Sequence, residues 1–361
     1  MKTKKILSLV MILAVIFSMS FMGCEKVSDK TQTGPGQGQM ISGLKAAATG
    51  SIVTTGTVVN GNYPVGVALT AANTLTLKLT VTAVGTYNIT TSTVNGYNFS
   101  KSGSFTATGA QTITLPGAGT PVATGINTFT VTFGTTTSFT VVVVSNTPVV
   151  QSSCNTSYTY YEVANHKTQK VWLDRNLGAS RVGQAATDYL AYGSQYQWGR
   201  IADNHQCITW ASAYLGTPVN GVTSTTSSKD NPGHSLFIKT LSTLGDWRVP
   251  QNNNLWQGAA GINNPCPAGY RIPTNAEFTA EVATWTTKNT AGAFGSSLKW
   301  VTAGYRDFPD GQIYGPGASG GYWSSTIANT SKAMVLWMSA SEGFTLDDFR
   351  AVGYSVRCIK N

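Results

Sequence analysis

The chain has 361 residues, only 11% of them charged, and a formal net charge of +9. That charged fraction lies well below the roughly 25% of an average soluble protein; Gly, Thr, Ser and Asn fill the gap, and since Thr fits a pleated surface while Gly and Asn make turns, the mixture argues for a β-rich chain rather than a helical one. Lys and Arg are scattered, without a run of five or six or an aromatic-laced basic stripe, which argues against nucleic acid as a partner.

In chain order, Lys2, Lys4 and Lys5 precede an apolar run from Ile6 to Phe21. This is the charged start and hydrophobic stretch of a secretory signal. The run is shorter than the roughly 20 residues of a stable membrane span. It ends at Phe21-Met22-Gly23-Cys24, which resembles a bacterial lipobox with Phe in place of the usual Leu. Residues 1–23 therefore read as a lipoprotein signal peptide and Cys24 as the lipid attachment site. Several acyl chains, each gaining about 0.8 kcal/mol per buried methylene, would anchor the chain at the outer membrane or cell surface. Residues 24–47, with Lys26, Ser28, Asp29, Gly34, Pro35 and Gly36, have little to bury and read as a flexible tether.

Residues 48–150 contain no Asp or Glu. Their period is two: Leu75, Leu77, Leu79 and Val81 alternate with Thr76, Lys78, Thr80 and Thr82. Ile113 and Leu115, then Phe129, Val131 and Phe133, repeat the pattern. Phe139 to Val144 is an apolar last strand, and Asn60-Gly61, Gly85, Asn95-Gly96, Gly109 and Gly117 to Pro121 are turn signals. Many short strands over about 100 residues predict an immunoglobulin-like β-sandwich, read as a spacer.

Residues 151–361 hold most of the charge and most of the Trp. Thr274 and Glu277 form a capping box that starts a helix over 275 to about 287. Ala276, Ala280, Ala283, Phe278, Val282 and Trp285 are its expected apolar face. Tyr305 to Asp307, Ala333 to Met338 and Tyr354 to Lys360 read as strands, so a mixed α+β domain with a small twisted sheet and long loops is expected. Four cysteines remain after Cys24, namely Cys154, Cys207, Cys266 and Cys358, and these allow three pairings.

The motifs of this half run in order. Val171-Trp172-Leu173-Asp174-Arg175-Asn176-Leu177-Gly178 is followed by Tyr196-Gln197-Trp198-Gly199-Arg200 and Asp246-Trp247-Arg248-Val249-Pro250. Cys266-Pro267-Ala268-Gly269-Tyr270-Arg271-Ile272-Pro273-Thr274 leads to Tyr322-Trp323-Ser324-Ser325, Arg350 and Gly353-Tyr354-Ser355-Val356-Arg357-Cys358. This order closely resembles the Fibrobacter succinogenes major paralogous domain, a module of bacterial surface lipoproteins, over essentially all of 155–361. The resemblance implies a C-type-lectin-like fold related to the formylglycine-generating-enzyme type, with no established activity. It also implies a staple between Cys266 and Cys358, because lectin-like folds bring the chain's ends together; Cys154 and Cys207 are then left for each other. The last segment is similar as well to the variable proteins of diversity-generating retroelements. That likeness would make Gly311 to Phe349 a diversified patch on a frame of Trp323, Arg350 and Arg357.

No residue set supplies nucleophile, base and orienter together, so an enzyme is not expected. Ser324 and Ser325 lack a nucleophile elbow, and adjacent Asp347 and Asp348 would face opposite sides of a strand. His166, His205 and His234 lack zinc spacing. Asn252, Asn253, Asn254, Asp307 and Asp310 read as polar loop residues rather than a calcium cage, so no metal or cofactor is expected. Binding remains. Tyr314, Ser319, Trp337, Phe344, Asp347, Asp348 and Phe349 lie amid Gly and Ser, a paratope-like mixture. Period two in Ala333–Met338 places Val335 beside Trp337, opposite Met334, Leu336 and Met338. These residues are the candidate site for a non-covalent glycan or protein ligand, with a structural matrix component as the rival function.

Overall fold

The computed structural model describes residues 45–240 and 245–361, and the expected signal peptide and Cys24 lie outside them. Over these residues the protein is β-rich, with several small sheets, two short α-helices and a single 3-10 turn at Tyr189–Ala191.

The first eight strands are β1 (Thr49–Asn60), β2 (Tyr63–Pro64), β3 (Thr74–Ala83), β4 (Gly85–Thr90), β5 (Tyr97–Phe105), β6 (Gly109–Gly119), β7 (Gly125–Phe133) and β8 (Thr135–Val144). A five-stranded sheet in the order β1-β3-β6-β5-β4 and a three-stranded sheet in the order β2-β8-β7 share one core. In β3 the alternation works as read: Leu75, Leu77, Leu79 and Val81 are buried while Lys78 and Thr80 are exposed. Phe139, Val141 and Val143 of β8 enter the same core. Val142 and Val144 point the other way, against Ala164 and Val171. That covered outer face is why β8 does not alternate with polar residues.

The rest of the chain adds β9 (Val149–Ser153), β10 (Thr156–Tyr160), β11 (Glu162–Asn165), β12 (Lys170–Leu173), β13 (Tyr196–Gln197), β14 (Ile208–Ser212), β15 (Leu215–Pro218), β16 (Val222–Thr223), β17 (Phe237–Ile238) and β18 (Tyr270–Arg271). Then come α1 (Asn275–Thr284), α2 (Thr290–Gly295), β19 (Tyr305–Arg306), β20 (Ile313–Tyr314), β21 (Gly320–Ile327), β22 (Lys332–Met338), β23 (Gly343–Phe349), β24 (Gly353–Tyr354) and β25 (Ile359–Lys360). Three sheets organise it: β11-β12-β25-β18, β13-β24-β19-β20 and β21-β22-β23. In the first, Trp172 pairs with Ile359, so the opening and closing strands of this segment lie side by side. The closing strand expected over Tyr354–Lys360 is broken into β24 and β25. These belong to different sheets, and the chain between them buries Ser355, Val356, Arg357 and Cys358.

The helix begins at the expected capping box, with Thr274 and Glu277 satisfying each other's backbone amides. Its buried side chains differ from the expected face: Phe278 and Glu281 are buried within it, and Trp285 is buried just past its end. Ala276, Ala280 and Ala283 are exposed. Glu281 is accommodated because its Oε1 accepts from the indole N–H groups of Trp285 and Trp300, both at 3.1 Å, and its Oε2 accepts from Asn165 Nδ2.

The two parts are joined by specific bonds. His166 Nδ1 accepts from Val142 N at 3.1 Å, so its Nε2 donates to Gly61 O at 3.0 Å. Asn62 Nδ2 donates to Glu162 O, and Glu162 Oε2 accepts from Ser145 N at 2.7 Å.

Candidate functional site

Strands β21, β22 and β23 form an antiparallel sheet in which Trp337 sits opposite Phe344 and Ala333 opposite Asp348. Period two sorts β22 as read: Val335 and Trp337 meet one core cluster, Leu336 and Met338 another. Val335, a candidate contact residue, is not available to a ligand. It is fully buried, because β22 is a central strand covered on both faces. Ser319 is also buried, at 8% exposure; its amide bonds to Gly315 O and its carbonyl to Gly304 N, so it closes a turn and offers no contact surface.

Other candidates do converge. Tyr314 and Phe344 are exposed, at 43% and 40%, and Trp337 is half-buried. Tyr305 links Tyr314 to Trp337: it stacks on Tyr314 with ring centres 5.9 Å apart and meets Trp337 edge-on at 6.1 Å, and Phe344 joins as the cross-strand partner of Trp337. Tyr354 backs both Tyr305 and Trp337, at 5.9 and 6.4 Å, and is itself seated on buried Trp323 at 5.1 Å. The patch is thus an aromatic row on a rigid floor, drawn from four strands of two sheets.

Carboxylates rim the row. Tyr314 Oη donates to Asp310 Oδ2 at 2.6 Å, and Tyr354 Oη donates to Asp348 Oδ2 at 2.7 Å. Burial first, then Asp310 and Asp348, hold the Asp307 carboxyl above its ordinary range; burial likewise raises Asp348. Burial, then the charges of Asp307, Asp348 and Asp310, push the Tyr305 hydroxyl up. These mutual effects place three carboxylates within electrostatic reach of one ring system.

Asp347 and Phe349 lie on the other side of β23. Asp347 pairs with Lys332 at 2.9 Å. Phe349 is half-buried; it packs edge-on against Phe308 at 5.4 Å and holds the Lys332 ammonium 4.9 Å from its ring centre. The two adjacent aspartates do face opposite ways, as their strand position requires.

Around this surface the chain is held by cross-links and buried cations. Disulfides join Cys154 to Cys207 and Cys266 to Cys358, with Cα–Cα distances of 5.7 and 5.8 Å. All four cysteines of the described residues are therefore oxidised. His205 is fully buried; its Nδ1 bonds to Asp203 Oδ1 at 2.7 Å and its Nε2 accepts from Gln197 N at 3.1 Å, so neither ring nitrogen is left for a substrate. Ser324 and Ser325 are buried too. Asn253 is engaged by Arg350 and Asn252 by Asp230, and no group of three His, Cys, Asp or Glu among the described residues is placed to hold a metal ion.

No family model, no curated protein and no solved structure matches this chain. Tyr305 and Tyr354, which join the row into one surface, were not among the sequence candidates. Each sits in a two-residue strand, and no local pattern marks two rings separated by 48 intervening positions as neighbours.

Proposed function

We propose that this chain is a lipid-anchored bacterial surface protein whose C-terminal half binds an extracellular glycan or protein ligand without covalent chemistry. In this reading residues 48–150 are an immunoglobulin-like spacer. Residues 151–361 are a lectin-like head of the Fibrobacter succinogenes major paralogous type. The facing five- and three-stranded sheets support the first assignment; the paired opening and closing strands, with Cys266–Cys358 tying the closing strand to the segment before β18, support the second.

The observation that carries the binding reading is the aromatic row of Tyr314, Tyr305, Trp337 and Phe344 with carboxylates at its rim. Rigid rings give contact area at little entropic cost, and a few such residues dominate most interfaces. Ring faces suit the apolar faces of sugars, and the rim oxygens can accept from sugar hydroxyls, so a glycan is the favoured class.

The test is an immobilised glycan and protein array probed with the full chain and with Trp337→Ala and Phe344→Ala. Each variant should lose about 2 kcal/mol of binding, the scale of a hot spot. Unchanged binding in both variants would discard the patch. Metabolic labelling with a fatty-acid probe should mark the chain and fail in Cys24→Ser.

A further inference from the structure

A cleft of about 810 Å³ opens between the sandwich and the C-terminal segment, and it shares no residue with the aromatic row. One wall comes from β1, the turn after it and the start of β8; the other comes from β11, the turn to β12 and the neighbourhood of α1 and α2. Its size falls in the range of small-ligand sites, roughly 300–1,000 Å³.

Its chemistry is one-sided. Hydroxyls and amides dominate, among them Thr57, Asn62, Asn165 and Gln169, and no Asp or Glu lines it. The sandwich residues that line it are uncharged, so the charge comes from Lys167 and Lys299 on the other wall. Lys167 Nζ donates to Thr284 O at 3.1 Å, and Lys299 Nζ lies 5.0 Å from the centre of the Phe294 ring. Neither ammonium is paired with a carboxylate among the described residues. Glu281 lies behind the wall, fully buried, with its oxygens taken by Trp285, Trp300 and Asn165.

A further feature favours a polar ligand. The aromatic side chains that reach the cleft, Phe139 and Trp285, are 9% and 4% exposed, so they offer little stacking surface. Recognition there would rest on hydrogen bonds and charge.

We propose that this cleft binds an oligosaccharide carrying anionic groups. Lys167 and Lys299 meet the anions, and the hydroxyl and amide side chains of both walls meet the sugar hydroxyls. The inference goes beyond the aromatic-row reading and stands or falls separately from it.

Isothermal titration of the full chain tests it. The probes are tetragalacturonate, a sulfated heparin-derived tetrasaccharide and neutral maltotetraose. At least one anionic tetramer should bind, and the neutral one should bind about tenfold more weakly or worse, the scale of a lost charge-assisted hydrogen bond. Which anionic probe binds identifies carboxylate or sulfate as the preferred group. The Lys167→Gln/Lys299→Gln double variant and a rise to 0.5 M salt should each weaken that binding about tenfold. Each single lysine variant is titrated as well, so that a folding defect in the double variant does not decide the result. Trp337→Ala is titrated in parallel, and the preference for the anionic over the neutral tetramer should persist in it. The proposal is overturned if neither anionic probe binds, if maltotetraose binds as tightly, or if lysine variants that melt like the parent bind normally. Loss of the anionic preference in Trp337→Ala alone would move the site to the aromatic row and likewise overturn it.

Discussion

Four arginines are nearly inaccessible to solvent: Arg200, Arg306, Arg350 and Arg357. Each lies over an aromatic ring, and three of them bond chiefly to carbonyl oxygens. Arg306 donates to the carbonyls of Gly311, His205 and Asn220 above Phe237; Arg357 grips Asn176 Oδ1 with two nitrogens and Leu298 O with a third, above Trp300. A fork of five donors suits the task of pinning several loops at once, which is how long irregular segments hold one shape here. Arg200 has a further consequence for its neighbour His205. Burial, then the Arg200 charge, push the His205 imidazole from 6.5 down to about 3. The folded state thus keeps His205 neutral, while the unfolded chain protonates it near pH 6.5. Its contribution to stability is complete above pH 6.5 and is lost as pH falls from there toward 3. Thermal melts should therefore drop steeply for the parent over pH 6.5 to 4.5. His205→Gln should be less stable at pH 7 but flatter across that window; parallel curves would assign the acid sensitivity to other groups. Glu277 acts lower on the scale. Although burial opposes ionisation, Arg271 and the Thr274 amide hold it down to about 2, so its share is lost only as pH falls below 4.5.

Among the elements, α1 separates what a local pattern decides from what packing decides. The capping box is local: Thr274 Oγ1 accepts from the Glu277 amide and Glu277 returns the bond, with Arg271 gripping the same carboxylate. Thr274→Ala should cost about 1 kcal/mol, read from the urea midpoint at unchanged m-value. Which face is buried is not local. Three alanines offer little area, whereas Phe278 and Trp285 offer much, and Glu281 joins them only because two indoles and an amide are waiting. Strand β22 makes the same point: its alternation was readable, but burial of Val335 depends on the cover over each face. Strand β8 is the counterpart, where an unbroken Val run does report two covered faces.

At the scale of the molecule, the Cys266–Cys358 disulfide closes a separation of 92 residues beside the β18–β25 pairing. Chain-entropy reasoning assigns such a loop about 4.6 kcal/mol. Cys266→Ser/Cys358→Ser should lower stability by about that amount in chemical denaturation, with the sandwich core retained; a loss below 1 kcal/mol would show that strand pairing alone holds β18 to the closing strand. The junction at His166 adds a second long-range tie. Burial lowers its pKa, so acid should weaken the contact to Gly61 and Val142 that only the neutral ring can make in full.

Sequence alone determined the β-rich class, the period-two strands of residues 48–150, the apolar β8 and the start of α1. Each is a local property, in which side chains two or four positions apart report one face. The tertiary structure alone decided that Tyr305 and Tyr354 join Tyr314, Trp337 and Phe344 in one row, that Val335 and Ser319 are withdrawn from it, and that a polar cleft forms beside His166. Those facts depend on which short strands become neighbours. Two-residue strands carry no periodicity from which to infer their partners.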